Sequence, residues 1–567
     1  MKGTIGAIFL LIVTMADVSG QALEDQYMNE WKKFYPSKAV RAGIRPAIFS
    51  YEDRSSQAIQ QWIDFNVKVL ELVSKKSPET EISPIDGRLL RVQAQSEIDQ
   101  WQVLKVQEND LGLYMRLLAN TLPPVLEQTY LTNSEKGGLV CKRLTSILQL
   151  ANAASQNLKQ VAQQDHDNSQ RIFDELLKTL DGLKAQIKSN ACDGFEARLQ
   201  SAKTVIKELS DHVSKTLSNS ISDRSDILGK TEYARRLSLY TDSDLIPERL
   251  ADMALEEIQL VRQLMDEVAS RYLQKAYRQS PLPETFEGRL EKALEDMEQD
   301  IPLNSRDYEQ FWQELTDKAI KFVEEKGLGT LPENQTLSIR SAPESAGPAA
   351  RIGWVGAAPP FDPNPWTTLY LPSIPDTLPA QEQVDFWSSF NKPFNRIIVI
   401  HELFPGHYMQ LKISRETPHP HRLLFPYGPY VEGWATFCER VALDEGWDAG
   451  NDMTMLAHLR KRIENANRAY TSVMVHTEGW TQEQVMKFST GTALVAPQFA
   501  KSLWYRLMRS PMQLTSYFYG GAQFSELMKS EKERLGDQFD LTLFMDTIMR
   551  TGPIPIDEFE GIFAEYQ

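Results

Sequence analysis

Cysteine, histidine and positive charge are all scarce in this sequence. Three cysteines (Cys141, Cys192 and Cys438) stand in 567 residues, too few for the disulfide framework of a small secreted scaffold. Cys141 and Cys192 flank one helical region and can pair in an oxidising compartment; three buried thiols are the equally simple alternative. The 61 Lys and Arg are outnumbered by 77 Asp and Glu, a net charge of −16, which argues against nucleic acid as a partner. After the first residues no apolar run approaches the roughly 20 that a membrane-spanning helix needs.

The start of the chain has its own pattern. Met1-Lys2 is followed by an apolar run from Ile5 to Met15, and then by Val18-Ser19-Gly20 ahead of Gln21. A positive start, a short apolar core and small residues before a break fit a secretory signal peptide over residues 1–20. The expected location is therefore secreted or periplasmic, with no transmembrane span once the signal is removed.

With 42% hydrophobic residues a chain of this length can bury large cores. From 21 to 330 the pattern is helix after helix. Phe173, Leu176, Leu177, Leu180, Leu183 and Ile187 recur at three- and four-residue steps, the stripe of an amphipathic helix. Val205, Ile206, Leu209, Val213 and Leu217 repeat it, and the two stripes are expected to form an antiparallel pair. Between 331 and 380 proline and glycine punctuate short strand-like runs, Thr336–Arg340, Arg351–Val355 and Trp366–Leu371, which predict a small sheet. Residues 381–567 return to helix. The expected fold is mainly α, with a small β-sheet inserted before the helix that carries the candidate site.

That site begins at His401-Glu402-Leu403-Phe404-Pro405-Gly406-His407. Only eight histidines occur, and six lie between His401 and His476. Asn391 can cap a helix with Pro393 in its first turn, and Phe394, Ile397, Ile398 and His401 then share one face. Zinc sites of the H-E-x-x-H type place two imidazoles four residues apart on a helix. Here the second histidine is six residues on, about 600° of helical rotation and far off that face. The two converge only where the helix is bent or bulged, and Pro405-Gly406 sits where such a distortion is needed. A catalytic zinc takes three protein ligands and keeps a position for water. The best third ligand is Glu432, at the start of a helix; His419, His421 and Glu439 compete with it.

Together these stretches resemble the peptidase-like family called domain of unknown function 885. Its H-E-x-x-P-G-H hallmark is matched by His401 to His407, and its Y-x-E-G-W-A by Tyr430 to Ala435. An R then H-x-x-G-W-T is matched by Arg468 and by His476, Gly479, Trp480 and Thr481. P-x-Q-x-x-S-Y-x-x-G is matched by Pro511, Gln513, Ser516, Tyr517 and Gly520, and a closing G-P-x-P by Gly552, Pro553 and Pro555. The resemblance runs from about Trp366 to the C-terminus. It implies a helical zinc-metallopeptidase-like fold with Zn2+ on His401, His407 and Glu432, and with Glu402 as the catalytic carboxylate. One departure is Ser472, where members often carry an aspartate.

The expected activity is hydrolysis of short peptides by a zinc-activated water, with Glu402 as general base. His476 and Tyr517, from the later motifs, are candidates to stabilise the oxyanion, and Arg468 and Arg506 to bind a substrate carboxylate. A secreted helical binding protein with a structural or vestigial metal, and a zinc amidase or esterase, are the alternatives.

Overall fold

The stripe from Phe173 to Ile187 does become the buried face of a helix, Gln163–Gln186. This is seen in a computed structural model of the chain, which describes residues 22–74, 82–187, 192–215, 221–222, 227–495 and 497–565. The expected signal peptide and Leu217 lie outside the described residues. The next helix, Phe195–Lys215, returns antiparallel to it, as expected: Lys184 meets Glu196 at 2.6 Å, Asp181 meets Lys203, and Ser210 bonds Gln170 at 3.3 Å. Asn133–Asn157, opened by a capping box between Thr132 and Glu135, lies against the second of these. Cys141 in it is joined by a disulfide to Cys192, with 6.4 Å between the Cα atoms.

These helices share a core with Tyr27, Trp31 and Trp62 from the first part of the chain. Phe425 from the second half enters the same core, its ring 5.2 Å from that of Tyr27 and 5.6 Å from that of Trp31. Nearby, Asp86 in the helix Pro84–Ile98 is enclosed and receives Arg422 through Nε at 2.6 Å and Nη2 at 3.0 Å. The segment from Arg422 to Phe425 is thus locked to the first part of the chain, by charge to Asp86 336 residues away and by aromatic packing to Tyr27 and Trp31.

A second core forms where the long helix Pro247–Ala276 runs along Asp452–Glu478. Arg271 and Lys275 reach Asp452 at 2.6 and 2.7 Å, and Glu257 pairs with Arg462 at 2.7 Å. A third core surrounds the candidate site. It includes Tyr308 and Trp312 of Ser305–Lys326, with the Tyr308 hydroxyl donating to Asn395 at 2.8 Å.

The expected sheet is present. Leu337–Ser341, Trp354–Gly356 and Thr367–Leu371 form three strands, with the last in the centre, parallel to the first and antiparallel to the second. The helix Tyr430–Asp444 crosses Pro511–Leu535 at Gly433 and Gly520. A Cβ on Gly433 would come within 2.5 Å of the Gly520 backbone, so this crossing exists only because both positions lack side chains. Among the described residues no helix is long and apolar enough to cross a membrane.

Candidate metal-binding and catalytic site

Local folding of the motif follows from its residues. Asn391 accepts the Phe394 N–H at 3.0 Å, and with Pro393 in the first turn it opens the helix Lys392–Glu402. Ile397, Ile400 and His401 face inward. The helix is interrupted, where a bend or bulge was expected. It stops at Glu402, and a new helix, His407–Ser414, begins five residues later. The Gly406 N–H turns back to the Ile400 carbonyl at 3.0 Å. A Cβ there would collide with the carbonyls of Ile400 and His401, so glycine is required. The Pro405 carbonyl accepts the Trp434 indole N–H at 3.1 Å, which ties the turn to the 430–444 helix.

This interruption brings the two imidazoles together. Their ring centroids lie 4.7 Å apart with planes at 80°. Glu432, in the first turn of the 430–444 helix, places Oε2 3.3 Å from Nε2 of His407 and 3.7 Å from Nε2 of His401. One ligand atom from each of the three lies within 4.8 Å of the others, a group that could hold a metal ion. Burial raises the Glu432 carboxyl, but the two histidines outweigh it and hold its pKa well below the usual range.

Glu439, two turns further along the same helix, does not compete for this position. Its Oε1 lies 2.7 Å from Nδ1 of His401, on the far side of that ring, and also 2.7 Å from the Lys461 ammonium. Burial and Lys461 lower the His401 pKa, yet Glu432 and Glu439 leave it above its ordinary value. His419 and His421 do not compete either. Asp86 takes His421 Nε2 at 2.8 Å and has His419 Nδ1 3.3 Å away, in the inter-half lock.

Tyr517, Arg468 and Arg506 gather on the Glu432 side. Gln513 donates to Glu432 Oε1 at 3.3 Å and to the Tyr517 hydroxyl at 3.2 Å. The Arg468 guanidinium lies 4.9 Å above the Tyr517 ring and that of Arg506 6.0 Å from it. Both are held by amide oxygens, Arg468 by Asn465 at 2.8 Å and Arg506 by Gln513 at 3.3 Å. Burial, and then Glu432, raise the Tyr517 pKa, so the phenol keeps its proton.

His476 is not brought to this group. Its ring is fully enclosed, Nδ1 accepts the Leu228 N–H at 3.2 Å, and Nε2 lies 2.9 Å from the Leu507 carbonyl. With both nitrogens taken by backbone, His476 holds helices together and is withdrawn as an oxyanion donor. Ser472, the departure noted above, accepts from Tyr233 at 3.0 Å and donates to the Pro511 carbonyl at 3.1 Å, so a neutral hydroxyl bridges three segments. Two contributors were not singled out from the sequence as parts of the site. Lys461 carries no local signal, whereas Gln513 was visible only as a motif position.

A family model described as "Bacterial protein of unknown function (DUF885)" matches residues 36–561. No curated protein matches the chain. A solved structure from Shewanella oneidensis, provisionally described as a lipoprotein of unknown function, is similar at 20% identity with a TM-score of 0.81, covering 95% of this chain and 98% of that one. Another from Colwellia psychrerythraea, provisionally described as a lipoprotein, is similar at 17% identity and a TM-score of 0.68, covering 94% and 96%. At these identities the likeness speaks for the fold alone.

Proposed function

We propose that this chain, which belongs to the DUF885 family of bacterial proteins of unknown function, is an exported zinc-dependent hydrolase that cleaves short peptides. The observation that carries the reading is the His401, His407 and Glu432 group, with Glu402 next in sequence and lining one hollow with His407. The donor set fits zinc. Tetrahedral ligands about 2.0–2.1 Å from an ion lie roughly 3.3–3.5 Å from one another, close to the 3.3 and 3.7 Å that separate Glu432 from the two imidazoles. Three ligands also leave a position open, as catalytic sites do.

Zinc held there supplies Lewis acidity and lowers the pKa of water. Glu402 accepts a proton as water adds to the scissile carbonyl, and returns it to the leaving amine as the C–N bond breaks. The protonated Tyr517 hydroxyl donates to the developing oxyanion, positioned by Gln513. Arg468 and Arg506 supply positive charge on that side. Glu439 and Lys461 orient His401 from behind. Export is supported by the Cys141–Cys192 disulfide and by the neighbours described as lipoproteins.

Zinc content together with turnover of a mixed peptide library tests this reading. Stoichiometric zinc with peptide cleavage is expected. Zinc without any turnover would overturn it in favour of a structural metal, and cleavage of non-peptide amides or esters alone would replace the substrate class.

A further inference from the structure

The hollow that Glu402 and His407 share is also lined by two cations, Lys412 and Arg415. The rest of its wall is Thr367, Tyr408 and Leu411, with the small side of Val355, Ala357 and Ala358 at the end of the Trp354–Gly356 strand. The hydrogen bonds of both cations go to neutral oxygens. Lys412 donates to the Thr336 hydroxyl at 2.8 Å, and Arg415 to the carbonyls of Pro359, at 2.5 Å, and Asp362. Of the neighbouring carboxylates, Asp362 faces Arg45 at 3.7 Å and Glu416 pairs with Arg550; Glu402 shares the hollow but forms no hydrogen bond or ion pair with either cation. Burial lowers the pKa of Lys412 and then Arg415 lowers it further; burial likewise lowers that of Arg415, against the opposing effect of the Asp362 carboxylate. Lys412 beside Arg415 with no carboxylate bonded to it is the costlier of the two, and a bound carboxylate would relieve it.

We propose that this hollow is the subsite for the terminal carboxylate of a peptide, with Lys412 as its ion-pair partner. The proposal rests on the hydrolase reading for its meaning and makes the enzyme one that acts from the carboxyl end. At about 30 Å³ the hollow accepts a carboxylate on a small residue; a cavity needs roughly 10–15 Å³ to hold one water. Arg468 and Arg506 are weaker candidates for this role, because Asn465, Gln513 and the Tyr517 ring already hold them. Of the two hollow cations, Lys412 is the freer, since Arg415 is fixed by two backbone carbonyls.

Equilibrium binding of trialanine and of trialaninamide to the full chain, with metal stripped by a chelator so that nothing is turned over, tests the subsite. Trialanine should bind about tenfold more tightly than its amide, as expected for a charge-assisted pair with a half-buried lysine. Lys412→Met should cut that preference to about threefold or less, and Lys412→Arg should keep most of it. Equal binding of acid and amide, no binding of trialanine at millimolar concentration, or a preference abolished by Arg468→Met but not by Lys412→Met overturns the proposal. The outcome is separable from the hydrolase test. Acid-selective binding without library turnover leaves the subsite and removes the hydrolase; turnover without acid preference does the reverse.

Discussion

Glu439 holds His401 and Lys461 on a single carboxylate oxygen, 2.7 Å from Nδ1 of the first and 2.7 Å from the ammonium of the second. All three groups are buried. Glu439→Gln keeps an oxygen that can accept from His401 but removes the negative charge behind a proposed ligand and leaves Lys461 without its counter-charge. Zinc affinity should fall about 10–100-fold, the usual effect of losing such an outer partner, as read by competition with a chromophoric chelator. Unchanged affinity would mean that His401 needs no carboxylate behind it.

Glu402 is half-buried and is not one of the three clustered ligands. Glu402→Gln should keep zinc by elemental analysis and lose about 10²–10⁴ of the peptide turnover. Full activity in that variant removes the general-base role. His407→Ala should lose the metal itself, and stoichiometric zinc in it would reject His407 as a ligand.

The glycine crossing next to Glu432 gives a stability prediction. A Cβ on Gly520 would strike the Pro429 carbonyl and approach the Gly433 Cα to 2.9 Å. Both obstacles are backbone, so neither can rotate away. Gly520→Ala should destabilise the fold by about 1–3 kcal/mol, seen as a lower thermal midpoint. Zinc binding should weaken too, because Glu432 adjoins the crossing. A midpoint unchanged from the parent protein would show that the helices separate freely.

Asp86 sets a pH dependence. Burial raises its carboxyl, but His421, Arg422 and Ser83 hold it well below the usual range. The folded value is thus the depressed one, so the lock contributes fully above the unfolded value of about 3.9 and is lost as pH falls from there. Thermal midpoints should drop steeply below about pH 4. Asp86→Asn should start lower at neutral pH and show a shallower acid decline. Parallel curves for the two proteins would contradict this assignment.

The parts of this structure that could be read from the sequence are those set by local periodicity. The Asn391 cap, the inward face of His401, the three strands and the paired stripes all depend on neighbours within a few residues. The convergence of His401 and His407 was readable as a requirement, but its form was not. Whether proline and glycine bend a helix or end it depends on what receives the freed carbonyl, here Trp434, which lies 29 residues away from Pro405. Glu439 and His476 show the same limit. A buried glutamate seven residues after a ligand, and a histidine in a matched motif, are equally good site candidates until Lys461 and the Leu228 and Leu507 backbones are seen beside them.

The lock between Asp86 and the 421–425 segment bears on attempts to shorten this protein. A fragment beginning near residue 381 would keep the three proposed ligands, Glu402 and Tyr517. It would also bare Phe425 where Tyr27 and Trp31 now cover it, and strand Arg422 beside an absent Asp86. Tyr308 and Trp312, which pack around the site, would be gone as well. Such a minimal version should aggregate when expressed alone. Supplying residues 22–330 as a separate polypeptide is the cheaper route to a two-piece protein, because the cut would then fall in the connecting segments and leave the lock whole.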